Sequence, residues 1–109
     1  MIIRYCYDET AKQRKAWEYR SKLRKVAHEL GLAKGQYDLR FNPGGIAVWG
    51  EVTLHTDSLY IQASYGCDLG VLVRTCKGRK DYTGGMNHWF PFSMLTCPTE
   101  FAVRARSIR

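Results

Sequence analysis

The chain has 109 residues, 45% hydrophobic and 25% charged, and seventeen Lys and Arg against ten Asp and Glu give a net charge of +7. That length suits one domain, residues 1–109, and that balance belongs to a folded chain rather than a disordered one. No apolar run approaches the ~20 residues of a membrane helix, and the opening residues are too short and polar for a secretory signal, so a cytoplasmic protein with no membrane partner is expected.

Residues 2–7 alternate Ile and Tyr with Arg and Cys and predict a short first strand. Thr10 and Gln13 then have the spacing of a capping box. Behind them Ala16, Tyr19, Leu23, Val26, Ala27 and Leu30 recur at three- and four-residue steps, one stripe of a helix over residues 11–30 that Gly31 ends. This helix holds seven Lys and Arg against Glu18 and Glu29, which is +5 of the chain's +7. So few acids leave few partners at four-residue spacing. Its outer face is either a solvated helix back or a surface that meets something anionic.

Turn residues at regular spacing follow. Asn42-Pro43-Gly44-Gly45, Thr56-Asp57 and Gly66-Cys67-Asp68 separate runs at 37–41, 46–54, 59–65 and 69–76, the pattern of an antiparallel meander. Two-residue loops at Pro43-Gly44 and Thr56-Asp57 would set Phe41 opposite Ile46, Leu39 opposite Val48, Leu54 opposite Leu59 and Val52 opposite Ile61. A three-residue loop would set Ile61 opposite Val73 and Ala63 opposite Val71. All these pairs share one face, which the helix stripe is expected to cover. The other face carries Asp38, Arg40, Trp49, Glu51, Thr53, Tyr60, Gln62, Leu72 and Arg74, mostly polar and expected to face solvent.

Residues 77–91 break the alternation and predict a structured loop in which Gly84-Gly85 makes a tight turn. Pro98 and Glu100 suit the first turn of a short last helix, with Phe101 turned inward. The expected fold is therefore α+β, a four- to five-stranded antiparallel meander with one long basic helix on one face and a short C-terminal helix.

The chemistry inventory is thin. Cys6, Cys67, Cys76 and Cys97 form no C-x-x-C pair and fit no zinc-finger spacing. Free thiols are the plainest reading; a Cys67–Cys76 disulfide or a zinc site with His88 are the alternatives. His28, His55 and His88 lie on different elements, and no nucleophile elbow, H-E-x-x-H or paired-carboxylate pattern occurs. A Cys76–His88 nucleophile lacks an indicated acid. No enzyme activity, catalytic residue, cofactor or metal is expected.

The stretch Val73-Arg74-Thr75-Cys76-Lys77-Gly78-Arg79-Lys80-Asp81-Tyr82-Thr83-Gly84-Gly85-Met86-Asn87-His88-Trp89 resembles one found in small uncharacterised proteins of bacteriophages and mobile elements. The resemblance covers about a sixth of the chain. It implies a phage-type accessory protein of the bacterial host cytoplasm, a class that includes anti-CRISPR and other anti-defence inhibitors. The helix–meander–helix order is also similar to double-stranded-RNA-binding domains, although their basic cluster opens the last helix and here Lys77, Arg79 and Lys80 precede a Gly-Gly turn.

The expected function is accordingly a non-enzymatic inhibitor that docks on a host protein or protein–RNA effector complex of the CRISPR type and blocks it by occlusion. The alternative is direct nucleic-acid binding, to double-stranded RNA or DNA, by the basic helix and the 77–80 cluster. The candidate binding residues are Arg74, Lys77, Arg79, Lys80, Tyr82 and Trp89, where charge steering and aromatic anchors coincide, with Arg40, Trp49 and Tyr60 on the sheet as a second patch. Arg79 and Lys80 are expected to be exposed, so that their charges matter to binding rather than to stability.

Overall fold

A computed structural model describes residues 9–43, 50–64 and 69–108, the side chains of Glu9 and Lys12 excepted. The first strand expected at 2–7, Ile46, Val48 and Trp49 of the second, Cys6, Cys67 and the turn at 66–68 lie outside the described residues.

Helix α1 (Glu9–Glu29) forms where the stripe predicts it. Thr10 lies inside the helix rather than at its cap; an acid such as Glu9 is well placed in a first turn. Tyr19, Leu23, Val26 and Ala27 are buried, and Ala16 and Leu30 pack against the same core. The helix ends at Gly31, whose φ of +79° is a left-handed conformation that costs glycine nothing. There the Leu32 N–H donates to Ala27 O (3.1 Å) and the Gly31 N–H to His28 O (2.9 Å), the paired bonds of a Schellman cap. Leu32 then turns back onto the core.

Five strands follow, β1 (Tyr37–Asn42), β2 (Glu51–Thr56), β3 (Leu59–Ala63), β4 (Val71–Thr75) and β5 (His88–Phe90), each antiparallel to the next in the order β1-β2-β3-β4-β5. A 3-10 turn (Phe92–Thr96) leads into α2 (Pro98–Ser107), with Pro98 at the start of the helix. The fold is thus α+β. No described helix is long and apolar enough to cross a membrane.

The expected faces hold, but two registers shift. Leu39 pairs with Leu54 and Phe41 with Val52, not with Val48 and Ile46. Leu54 pairs with Ile61 and Val52 with Ala63, not with Leu59 and Ile61, because the β2–β3 turn is Asp57-Ser58 rather than Thr56-Asp57. The Thr56 hydroxyl closes that turn, accepting from the Leu59 N–H at 2.8 Å and the Ser58 N–H at 3.2 Å. Both displacements are even numbers of residues, so no side chain changes face. Ile61 does pair with Val73. The expected loop at 77–91 contains β5, which continues the meander beyond β4.

The core lies between the sheet's inner face and the two helices. Val52, Leu54, Ile61, Ala63, Val71 and Val73 meet Leu23 and Val26 of α1 and Phe101 and Ala105 of α2. The Phe90 and Phe101 rings are 4.9 Å apart, and Tyr19 stacks on Phe92 at 6.2 Å. Arg106 Nη2 donates to Glu29 O at 2.6 Å, so α2 caps a carbonyl that α1 leaves open. Phe41, expected in the core, is 44% exposed. It faces Trp17 and Arg20 across a cavity of about 300 Å³, so α1 and β1 do not close at that end.

Candidate binding surface on the outer sheet face

Strand pairing assembles two rows of side chains on the face away from the helices. Asp38, His55, Tyr60 and Arg74 lie abreast in the first, and Arg40, Thr53, Gln62, Leu72 and Trp89 in the second. Four expected binding residues, Arg40, Tyr60, Arg74 and Trp89, are thereby brought onto one face from four strands. Trp49 is outside the described residues.

The chain after β4 folds back over the first row. Tyr82 Oη sits 3.1 Å from His55 Nδ1, and its ring meets the Tyr60 ring edge-on at 5.0 Å. Arg74 is the strut beneath. Its Nη2 donates to Tyr82 O (2.8 Å) and Gly85 O (2.9 Å), its Nη1 to Asn87 Oδ1 (3.1 Å), and its guanidinium lies 5.8 Å from the Tyr82 ring centre. Gly85 is required by this closeness, because a Cβ there would collide with Thr75 O and press on the Arg74 guanidinium at 3.1 Å. Gly84 supplies the left-handed turn (φ +78°), closed by the Gly85 N–H donating to Tyr82 O at 3.2 Å. The double glycine thus serves two purposes, one conformational and one steric.

The first half of the loop is a tight turn of its own. The Lys77 N–H donates to Asp81 O and the Asp81 N–H to Gly78 O, each at 2.9 Å, with Lys80 held at φ +68°. The Thr83 N–H donates to Asp81 Oδ1 (3.2 Å), and these bonds from Thr83 hold the Asp81 carboxyl below its ordinary range. Arg79 does not face solvent as expected. Its Nη1 lies 3.5 Å from Asp38 Oδ2, its Nε 3.2 Å from Asp57 Oδ1, and its Nη2 donates to Gly35 O at 3.3 Å. One guanidinium therefore ties the loop to the start of β1 and to the β2–β3 turn. Lys77, Lys80 and Met86 point outward and are exposed, and Trp89 is 39% exposed at the neighbouring strand.

Beneath the loop lies a group that the residue pattern does not single out. His55 and Thr53 belong to the face expected to be solvated, yet both are buried. Thr53 Oγ1 is 2.9 Å from His55 Nε2, so both ring nitrogens are engaged, one by Thr53 and one by Tyr82. Burial lowers the His55 pKa, with Arg40 and Lys80 adding to the effect, so the ring is neutral at pH 7. Tyr60 donates to Gln62 Oε1 at 2.7 Å, and burial pushes its phenol up to about 12. Burial likewise raises the Tyr82 phenol. The only signal for this network in the sequence is the spacing of Thr53 and His55 on one strand face opposite Tyr60.

The groups of this network are neutral and closed over by the loop. Cys76 fits the same description. Its Sγ donates to Thr56 O at 3.5 Å, and burial, then Asp57 and Asp81, raises its pKa, the opposite of an activated thiol. Among the described residues no three metal-ligating side chains cluster. Comparison with known proteins adds nothing to this geometry: no family model, curated protein or solved structure matches the chain.

Proposed function

We propose that the protein is a non-catalytic docking module that applies the 77–87 loop and the adjoining sheet face to a nucleoprotein partner. In the phage or mobile-element setting that residues 73–89 suggest, that partner is a host defence complex of the CRISPR-effector type, inhibited by occlusion. One observation carries the reading. The loop's inward groups, Tyr82, Arg79 and the Arg74 strut, are committed to holding a fixed backbone, while Lys77, Lys80 and Met86 are left exposed, with Trp89 exposed on β5 just after the loop. A pre-shaped loop binds without the entropy cost of ordering, and exposed cations together with an exposed aromatic and a methionine supply both steering and anchoring. A chain of +7 does not imitate the charge of DNA, so it suits an acidic protein surface or the RNA of a ribonucleoprotein.

The test is co-purification with purified CRISPR effectors, loaded and unloaded with guide, alongside an interference assay in cells. A stable complex is expected, weakened at least tenfold by Lys77→Glu with Lys80→Glu at unchanged melting temperature. Unaltered interference and no complex with any effector would end this reading.

A further inference from the structure

A second surface, independent of the loop, runs along the seam between α1 and β1. Trp17, Arg20, Arg24 and His28 follow one another at three- and four-residue steps and so lie on one face of the helix. Three cavities join end to end along this face. One of about 300 Å³ is lined by Trp17, Arg20 and Phe41. The next, about 370 Å³, shares Arg20 and adds Arg24, Lys34 and Tyr37. The third, about 570 Å³, shares Arg24, Lys34 and Tyr37 and adds Lys25 and His28. The three depressions therefore adjoin as an open, shallow groove, with Arg20 at the boundary of the first two. Glu29 and Asp38 also line it, but Asp38 is paired with Arg79.

Two features of the groove are unusual together. Arg20, Arg24, Lys25 and Lys34 are all exposed, and none has an ion-pair partner among the described residues. Where α1 does neutralise its charge it does so elsewhere, Glu18 taking Lys15 at 3.4 Å and Lys22 at 3.0 Å. At the end of this cationic row stand two exposed aromatic side chains, Trp17 (67%) and Phe41 (44%), on either side of the cavity. A helix that only needed solubility would mix signs here and would not leave a tryptophan in water.

The geometry points to a binding groove for single-stranded nucleic acid, with Arg20, Arg24, Lys25 and Lys34 along its phosphates and Trp17 and Phe41 receiving unstacked bases. Arg20 and Arg24 are one helical turn apart, about 6 Å along the axis, so successive cations track an extended anionic backbone. Aromatic faces stack any base that is free of a duplex, which is why a cationic track ending in aromatics favours a single strand over a double helix. The inference does not rest on the docking reading, since it uses none of the loop residues.

The experiment is fluorescence anisotropy of labelled fifteen-nucleotide oligo(U), oligo(dT) and a duplex of the same length, at 50 and 200 mM salt, with flotation on phosphatidylserine-containing vesicles in parallel. The whole chain is expected to bind a single strand, RNA or DNA, more tightly than the duplex and to lose affinity steeply with salt. Arg20→Ala with Arg24→Ala is expected to reduce affinity at least tenfold. Trp17→Ala should reduce it several-fold with a weaker effect on the salt dependence. Lys77→Glu with Lys80→Glu should weaken it less than the Arg20/Arg24 change and leave the Trp17 dependence intact, so failure here and failure of the docking reading are distinguishable. Circular dichroism and melting of each variant check that the fold is kept, which the exposure of all three groove side chains favours. No binding at 50 mM salt, equal or tighter binding of the duplex, indifference to the Arg20/Arg24 change, or vesicle binding in place of oligonucleotide binding would each overturn the assignment.

Discussion

His55 shows how one side chain can report on the whole outer face. Its ring is buried between Thr53 and Tyr82, and its pKa is lowered from 6.5 by burial first and by Arg40 and Lys80 next. The unfolded chain therefore takes up a proton on this ring before the folded chain does. Its contribution to stability is complete above pH 6.5 and is lost as the pH falls below that value toward the lower folded pKa. Thermal melts between pH 7.5 and 5 are expected to show a falling midpoint, and His55→Gln should flatten that slope relative to the parent. Tyr82→Phe removes the bond to His55 and should cost about 1 kcal/mol. Gly85→Ala should cost roughly 1–3 kcal/mol, because the new methyl meets Thr75 O with no room to move. Denaturant titrations of both variants check these values. That the loop carried a cation cluster and two aromatics was legible in the sequence. That Arg79 holds the loop while Lys77 and Lys80 face outward was not, since the three cations read alike until Asp38 and Asp57 are brought beneath one of them by pairing over long sequence separations.

Elements were legible in proportion to their periodicity. The stripe from Ala16 to Leu30 is long and regular, and α1 lies where it says. The strands were found by their alternation, and their faces were assigned correctly even where Leu39 and Val52 acquired different partners, because parity survives any shift by two, four or six residues. Loop length did not survive in the same way: turn residues such as Asn42-Pro43-Gly44-Gly45 mark a reversal without fixing where pairing resumes. The three residues of β5 are too few to display a period, and their role follows from pairing with β4. Ile61 pairs with Leu54 and Val73 and is fully buried. Ile61→Ala is expected to cost about 2–5 kcal/mol, while Phe41→Ala, on the open groove, should cost well under half as much. Equilibrium unfolding of the pair checks both the core and the exposure of Phe41.

Across the whole molecule, the sheet separates a polar outer face under a pinned loop from an inner face packed on two helices, with the α1–β1 groove at one border. Each of the five described strands is hydrogen-bonded to the strand beside it in sequence, β1 to β2 through to β5. For the kinetics of folding this has a direct meaning. No pairing among the described strands has to wait for a distant part of the chain, so the entropy of closing large loops is spread over short steps. Refolding after denaturant dilution is expected to be fast for a β-rich chain, with the hairpin of β2 and β3 able to form first and neighbours added outward on either side. The Tyr82–His55 contact must then come late, since it needs the loop after β4 to return to a strand already in place. Ile61→Ala is expected to slow folding, whereas Tyr82→Phe should mainly quicken unfolding, and a stopped-flow chevron for each variant distinguishes the two.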